Sequence, residues 1–130
     1  MAEDQALPLP DGVAAHLIDL DTSIRAAADL VARGRAAYDN DFLHRLAAEA
    51  ISNRIGEAVG NIDESWRDLL PAIPWRAMRT NRNFVVHVYH AIDYARLWNT
   101  LVDDVPHVAE LLSPYIKAAY AALAELPESE

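Results

Sequence analysis

The chain has 130 residues, a length that suits one domain with its own hydrophobic core. Apolar residues make up 52% of it, it has no cysteine, and its formal net charge is −9. These numbers exclude disulfides and thiolate metal sites, and they argue against a broad basic surface for nucleic acid. No apolar run approaches the length of a membrane span, so we expect a cytoplasmic protein with no membrane contact.

The composition predicts an all-α protein, because no segment alternates apolar and polar residues long enough to suggest a strand. Residues 1–10 are expected to form a flexible tail, 11–126 a single helical domain and 127–130 a flexible C-terminus. The first helix is predicted from about Gly12 to Arg33, with Gly34 as its stop.

A second helix is predicted from about Phe42 to Ile62, with caps offered by the Asp39–Asp41 segment. Its apolar stripe, which should face the core, consists of Phe42, Leu46, Ile51, Ile55, Ala58 and Ile62.

Later in the chain, residues 64–69 are predicted to form a short helix, and Pro74 suits the first turn of the next one. Another helix should begin near Asp93. Asp103 and Pro106 indicate a further cap and restart, and Pro114 is predicted to kink or break the last helix.

The segment from Arg82 to Tyr89 (RNFVVHVY) carries an arginine, an asparagine, a histidine and a tyrosine on one predicted helix. An arginine binds phosphate through paired N–H donors, and a histidine titrates near neutral pH and can move protons. These residue types together indicate phosphodiester chemistry without a metal ion. The spacing alone is weak evidence, since a single histidine on a helix is more often structural.

Charge is concentrated around this segment. Residues 76–96 contain four arginines against Asp93 alone, which gives +3 and leaves −12 on the rest of the chain. A positive patch on an acidic body could bind a short phosphate segment while rejecting long non-specific contact. Arg79 is interpreted as supporting charge in this patch.

On an ideal helix, Arg82 and His87 lie about 140° apart, so one helix would hold them poorly around a single phosphate. A second copy of the helix, packed across a two-fold axis, would bring two such pairs into one cleft. The angle therefore favours a homodimer.

The motif resembles a known family. Arg82, four intervening residues and His87 match the R-x4-6-H pattern of HEPN ribonucleases. The fuller pattern RN-x-x-x-H-x-Y looks like the HepT branch, the toxin half of the MntA/HepT toxin–antitoxin system. The segments 55–58 (IGEA), 73–75 (IPW) and 92–98 (ID…LW) resemble other family elements, so the resemblance covers about residues 16–117.

The resemblance implies an antiparallel HEPN-like bundle of about five helices and a homodimer whose motifs face each other in a cleft. It implies a metal-independent endoribonuclease with Arg82 and His87 as catalytic residues, Asn83 in support, and no cofactor. It also implies a minimal nucleotidyltransferase antitoxin, MntA-like, that transfers AMP to Tyr89 and silences the toxin.

Alternatives remain open. Arg82 could pair with Glu57 rather than with RNA. The chain could be a non-catalytic subunit that binds a nucleotide or a nucleotidyltransferase through the same arginine-rich face, or it could be the antitoxin of its pair. The sequence also departs from the family, since Asn81 stands where methionine usually precedes the motif arginine. The spacing from Trp75 favours Arg82 over Arg79 as that arginine.

Overall fold

The computed structural model describes residues 9–10, 12–79 and 92–125, and every regular element within these ranges is a helix. The predicted all-α, HEPN-like fold is confirmed. No described helix is long and apolar enough to cross a membrane.

The first part of the chain forms three helices. Helix α1 (Val13–Ala32) ends at the predicted place, because Gly34 adopts a left-handed φ of 94° that other residues rarely adopt. Helix α2 (Arg35–Asn40) is a short helix that the sequence pattern did not predict. Helix α3 (Phe42–Asn61) is capped by Asp41, whose carboxylate accepts a hydrogen bond from the Leu43 N–H.

One short helix and the described start of another precede the segment that carries the motif. Helix α4 (Glu64–Arg67) confirms the predicted short helix, and the Asp63 carboxylate caps it. Residues 75–79 form α5, which begins directly after Pro74 as predicted.

The end of the chain is one long helical stretch, not the two separately capped helices that Asp103 and Pro106 predicted. Helix α6 (Tyr94–Asn99) continues through a π-helical turn (Thr100–Asp104) into α7 (Val105–Ala124). The π turn absorbs extra backbone without ending the helix, and Pro106 fits the first turn of α7, where its missing N–H costs no helical bond.

Pro114 does not break the last helix, so the prediction of a break was wrong: α7 runs through it to Ala124. A proline inside a helix removes one hydrogen bond, here to the carbonyl of Glu110. Pro114 and Glu110 both lie on the exposed side of α7, where water can reach that carbonyl. The opposite side of α7 packs along α1, and this packing holds the helix together.

The core lies where α1 packs against both α3 and α7. Most of the predicted stripe of α3 is buried there, including Ile51, Ile55 and Ala58. Phe42 and Leu46 were predicted to be buried, but they are 52% and 42% exposed. They occupy the first turns of α3, where the described residues that pack over them leave half of each side chain uncovered.

Candidate functional site

The structure describes the surroundings of the predicted site rather than its centre. Arg82, Asn83, His87 and Tyr89 lie outside the described residues. The chain is described up to Arg79 on one side and again from residue 92 on the other. The contacts on these two sides define where the motif enters and leaves the fold.

On the entry side, Trp75 fastens the chain to the loop before it. Its indole Nε1 donates hydrogen bonds to the carbonyl oxygens of Arg67 at 3.1 Å and Leu70 at 3.2 Å. The Arg67 side chain in turn donates from Nε to the Ile62 carbonyl at 3.0 Å. The start of α5 is therefore tied to the end of α3 through successive hydrogen bonds.

Aromatic packing reinforces this attachment. The rings of Trp66 and Trp75 have centroids 6.3 Å apart, and Trp66 packs edge-on against Tyr115 of α7 at 5.8 Å. Such ring pairs stabilise beyond simple area burial. Trp66 itself is a core residue with 2% exposure.

Met78 connects α5 to the main core. It is buried, and it lines a cavity of about 30 Å³ together with Ser52 and Ile55 of α3, Leu101 of the π turn and Val105 of α7. This volume is too small for a nucleotide, so the cavity is a packing feature and not a substrate site. The IGEA segment and helix α5 thus meet at this cavity through Ile55 and Met78.

On the exit side, Asp93 and Tyr94 fix the start of α6. The Asp93 carboxylate accepts a hydrogen bond from the Arg96 N–H at 3.0 Å and so caps the helix. The Tyr94 hydroxyl donates to Glu49 Oε2 at 2.6 Å, a bond to α3. The Tyr38 hydroxyl donates to the Tyr94 carbonyl at 2.7 Å, a bond to α2.

Arg45 completes this exit cluster. Its Nη1 donates to the carbonyl oxygens of Tyr38 at 2.9 Å and Asp39 at 2.6 Å. Its guanidinium also lies over the rings of Phe42 and Tyr94, 5.3 Å and 5.6 Å from their centroids. The short helix α2 therefore supplies the backbone and the tyrosine that hold residue 94.

Both tyrosines of the exit cluster are held in the protonated form. Burial, together with the hydrogen bond to Glu49, raises the pKa of Tyr94 to about 12. Burial, with Tyr94 nearby, raises the pKa of Tyr38 to about 12. Each hydroxyl is thereby kept as a hydrogen-bond donor far above neutral pH.

We expect the folded state to lose stability between about pH 10 and pH 12. An unfolded tyrosine titrates near pH 10, so the unfolded state releases these protons first. The stabilisation is complete below that pH and is lost as pH rises through the folded value of about 12. Urea unfolding at pH 8 and pH 11 measures this. The Tyr38→Phe/Tyr94→Phe variant should lose less stability than wild type between the two pH values; equal losses would contradict the assignment.

Arg79, predicted to support the motif, lies against the last turn of α3. An ideal Cβ built on Gly60 would be 3.6 Å from Arg79 Nε and 3.8 Å from both Cζ and Nη2. The guanidinium therefore occupies space beside a residue that has no side chain. Glu57, the alternative partner of Arg82, is exposed on α3 one turn before Gly60.

Sequence reasoning missed Gly60, Glu49 and Tyr38 as residues that hold the ends of the motif segment. Tyr94 and Glu49 are 45 positions apart, and no local pattern reveals such a pair. Gly60 did carry a signal, because glycine in a helix is unfavourable unless something approaches closely.

No group of three or more His, Asp or Glu side chains suitable for a metal ion occurs among the described residues.

Comparison with known proteins matches residues 20–114 to the family described as Ribonuclease HepT-like. The matched range contains the whole Arg82–Tyr89 motif together with Trp75 on the entry side and Tyr94 on the exit side.

The chain belongs to the HepT-like ribonuclease family. Its enzyme class is that of an RNA endonuclease. The family resemblance of the motif is thereby confirmed, whereas the roles of individual motif residues stay predictions.

Several curated relatives agree with the HepT-like family. A putative RNase of Methanocaldococcus jannaschii is 32% identical over 74% of this chain and 89% of its own length. The probable ribonuclease HepT of Thermococcus cleftensis is 42% identical over 40% of this chain and 47% of its own length. A second putative RNase of M. jannaschii is 33% identical over 48% of this chain and 52% of its own length. No solved structure matches significantly.

Proposed function

We propose that this chain is the toxin of a toxin–antitoxin pair and cleaves RNA without a metal ion. The active site is a cleft between two copies of the chain, with Arg82 and His87 as its catalytic residues. The observation that carries the proposal is the family match over residues 20–114, which includes both residues at the family's spacing.

The cleavage step uses the RNA's own 2′-hydroxyl as nucleophile. His87 takes the proton from this hydroxyl while its oxygen attacks the adjacent phosphorus. The bond from phosphorus to the 5′-oxygen of the next nucleotide breaks, and this oxygen receives a proton from a histidine acting as acid. The products are a 2′,3′-cyclic phosphate and a 5′-hydroxyl.

Arg82 stabilises the transition state. Negative charge builds up on the non-bridging phosphate oxygens as the fifth bond to phosphorus forms. A guanidinium offers paired N–H donors to two of these oxygens, and it stays charged at every working pH. Asn83, one turn before His87 on the predicted helix, supports the imidazole.

The dimer follows from the separation of Arg82 and His87 by about 140° on an ideal helix. Two copies facing each other let one histidine act as base and the other as acid on the same phosphate. Sedimentation velocity at working concentration should show a dimer, and a strict monomer that still cleaves RNA would contradict this part of the proposal.

Silencing acts through Tyr89. A nucleotidyltransferase antitoxin transfers AMP from ATP to the tyrosine hydroxyl, which forms a phosphodiester to AMP and releases pyrophosphate. The added phosphate and nucleoside then occupy the cleft beside Arg82. Tyr89→Phe removes the acceptor oxygen, so this variant should stay active after incubation with ATP and the partner.

The decisive experiment is cleavage of a single-stranded RNA by the purified chain in EDTA. The intact mass is measured first, because a sample that already carries AMP would be silent for that reason. We expect cleavage of the RNA with a cyclic phosphate end, and no cleavage of DNA of the same sequence, which lacks the nucleophile. Cleavage of DNA at a similar rate would exclude the 2′-hydroxyl mechanism.

A negative result has a defined meaning. If unmodified wild-type protein does not cleave RNA, the chain is a binding subunit and not an enzyme. Its arginine-rich face then holds a nucleotide or the nucleotidyltransferase. Expression of the chain alone distinguishes toxin from antitoxin, since only the toxin should arrest growth.

A further inference from the structure

Gly60 leaves room for the side chain of one particular arginine. Gly60 is an exposed residue in the last turn of α3, and Arg79 is an exposed residue and the last described one of α5. The Arg79 guanidinium atoms lie 3.6–3.8 Å from the position that a Cβ of residue 60 would take. A methyl group would just touch the guanidinium, and any longer side chain would compete with it for the same space.

The C-terminal end of α3 favours a cation at this place. The last carbonyl groups of a helix have no partner within the helix and carry partial negative charge. Gly60 is one residue before the end of α3 at Asn61. The helix end therefore attracts the guanidinium of Arg79. This attraction does not require a carboxylate, so the hydrogen-bond donors of the guanidinium are not taken up by one.

The side chain of Arg79 makes no ion pair with another described residue, and no hydrogen bond to one. By contrast, the Nε atoms of Arg25 and Arg35 are 2.8 Å and 2.9 Å from the carboxylates of Asp21 and Asp39. Those two arginines each bind an aspartate of their own helix. The donors of Arg79 are instead directed to neither an aspartate nor a glutamate among the described residues, Glu57 included.

The chain itself keeps Arg79 near the motif. Arg82 follows Arg79 by three positions, and an extended chain spans at most about 3.6 Å per residue. The two Cα atoms therefore lie within roughly 11 Å of each other whatever conformation residues 80–82 adopt. Both side chains are long enough to reach neighbouring phosphates of one RNA strand.

We propose that Arg79 binds an RNA phosphate next to the scissile one and that Gly60 positions its guanidinium for this contact. The ligand is the phosphodiester backbone of single-stranded RNA, which a guanidinium recognises through paired donors. This inference rests on the proposed function for the identity of its ligand. It assigns Arg79 to substrate binding and not to the chemical step.

The test is the salt dependence of binding to a single-stranded RNA with 2′-O-methyl groups, which cannot be cleaved. Arg79→Ala should reduce the slope of log K against log salt by about 0.7, the value for one phosphate contact on a single strand. The dissociation constant at moderate salt should rise roughly two- to fivefold. On cleavable RNA, the same variant should raise KM and leave kcat nearly unchanged.

Arg33→Ala is the matched control. Arg33 is also exposed, and it lies beside Leu43 and His44 at the first turns of α3. Seventeen residues of helix, about 25 Å at 1.5 Å per residue, separate this end from Gly60. The control removes the same charge, so an equal effect of both variants would reduce the proposal to general electrostatics and overturn it.

Variants of Gly60 test the positioning role. Gly60→Ala should keep wild-type affinity and slope, because its methyl group makes only ordinary contact with Arg79. Gly60→Leu should reduce the slope as Arg79→Ala does, and adding Arg79→Ala to it should cause no further loss. Melting curves of both variants confirm folding. Gly60→Leu with an unchanged slope would exclude positioning by this glycine.

The outcomes separate this inference from the proposed function. If wild type cleaves RNA and Arg79→Ala matches it in slope and KM, the phosphate contact is wrong and the ribonuclease stands. If wild type binds RNA without cleaving it and Arg79→Ala lowers the slope, the contact stands and the proposed catalysis falls.

Discussion

Replacing His87 by alanine should lower the rate of RNA cleavage about 10²- to 10⁴-fold, the usual contribution of a general acid or base. The loss should appear in kcat, because the histidine moves protons only in the chemical step. Single-turnover cleavage in EDTA measures it directly. His107→Ala is a matched control, since His107 is an exposed histidine of α7 whose loss should leave the rate unchanged.

Arg82→Ala tests the mechanism at a second residue, with an expected loss of about 10²- to 10³-fold in kcat. Arg82→Lys should recover only part of it, because a lysine cannot present two parallel donors to one phosphate. The double variant with His87→Ala should be little slower than the worse single variant, since residues that act as a unit are not additive. A fully active Arg82→Ala variant would exclude the proposed site.

The prediction of these two residues comes from the sequence alone, which is possible because the motif is local. Arg82 and His87 lie in one short stretch, so their types and spacing are visible without a fold. The residues that hold the ends of that stretch are not local. Tyr94 bonds to Glu49, 45 positions earlier, and Arg79 lies against Gly60 on a different helix.

The helices were predictable where an apolar stripe and a residue that ends the helix occur together. Both occur in α1, where the apolar stripe stops just before Gly34. Helix α2 has six residues and only Tyr38 is buried, so it shows no periodicity to recognise. Pro114 misled because its helix-breaking effect depends on packing and on solvent access, which the sequence does not display.

The exposure of Phe42 and Leu46 has the same kind of cause. A periodic pattern identifies which face of α3 is apolar, but not how far the facing helices extend along it. Phe42 contacts the guanidinium of Arg45 and packs edge-on against the ring of Tyr94, with ring centroids 6.4 Å apart. Its apolar character thus serves the exit cluster rather than the main core.

Trp75 holds the entry side of the motif through both ring packing and hydrogen bonds. Trp75→Ala should destabilise the fold by about 3–5 kcal/mol, because a large buried ring is removed from between Trp66 and the loop before α5. Urea unfolding monitored by circular dichroism measures the loss. A loss below about 1 kcal/mol would contradict the packing role assigned to this ring.

Trp75→Phe separates the hydrogen bonds from the packing, and Trp66→Phe is its control. Trp75 Nε1 donates to two carbonyl oxygens, whereas Trp66 Nε1 is buried without a hydrogen-bond partner among the described residues. The carbonyls of Arg67 and Leu70 each keep one backbone donor in Trp75→Phe, so the extra loss should be moderate. We expect Trp75→Phe to be less stable than Trp66→Phe by about 1 kcal/mol. Since the bonds of Trp75 fasten the start of α5, cleavage activity should be lower in Trp75→Phe than in Trp66→Phe. Equal losses of stability and activity in the two variants would assign the effect to ring size alone.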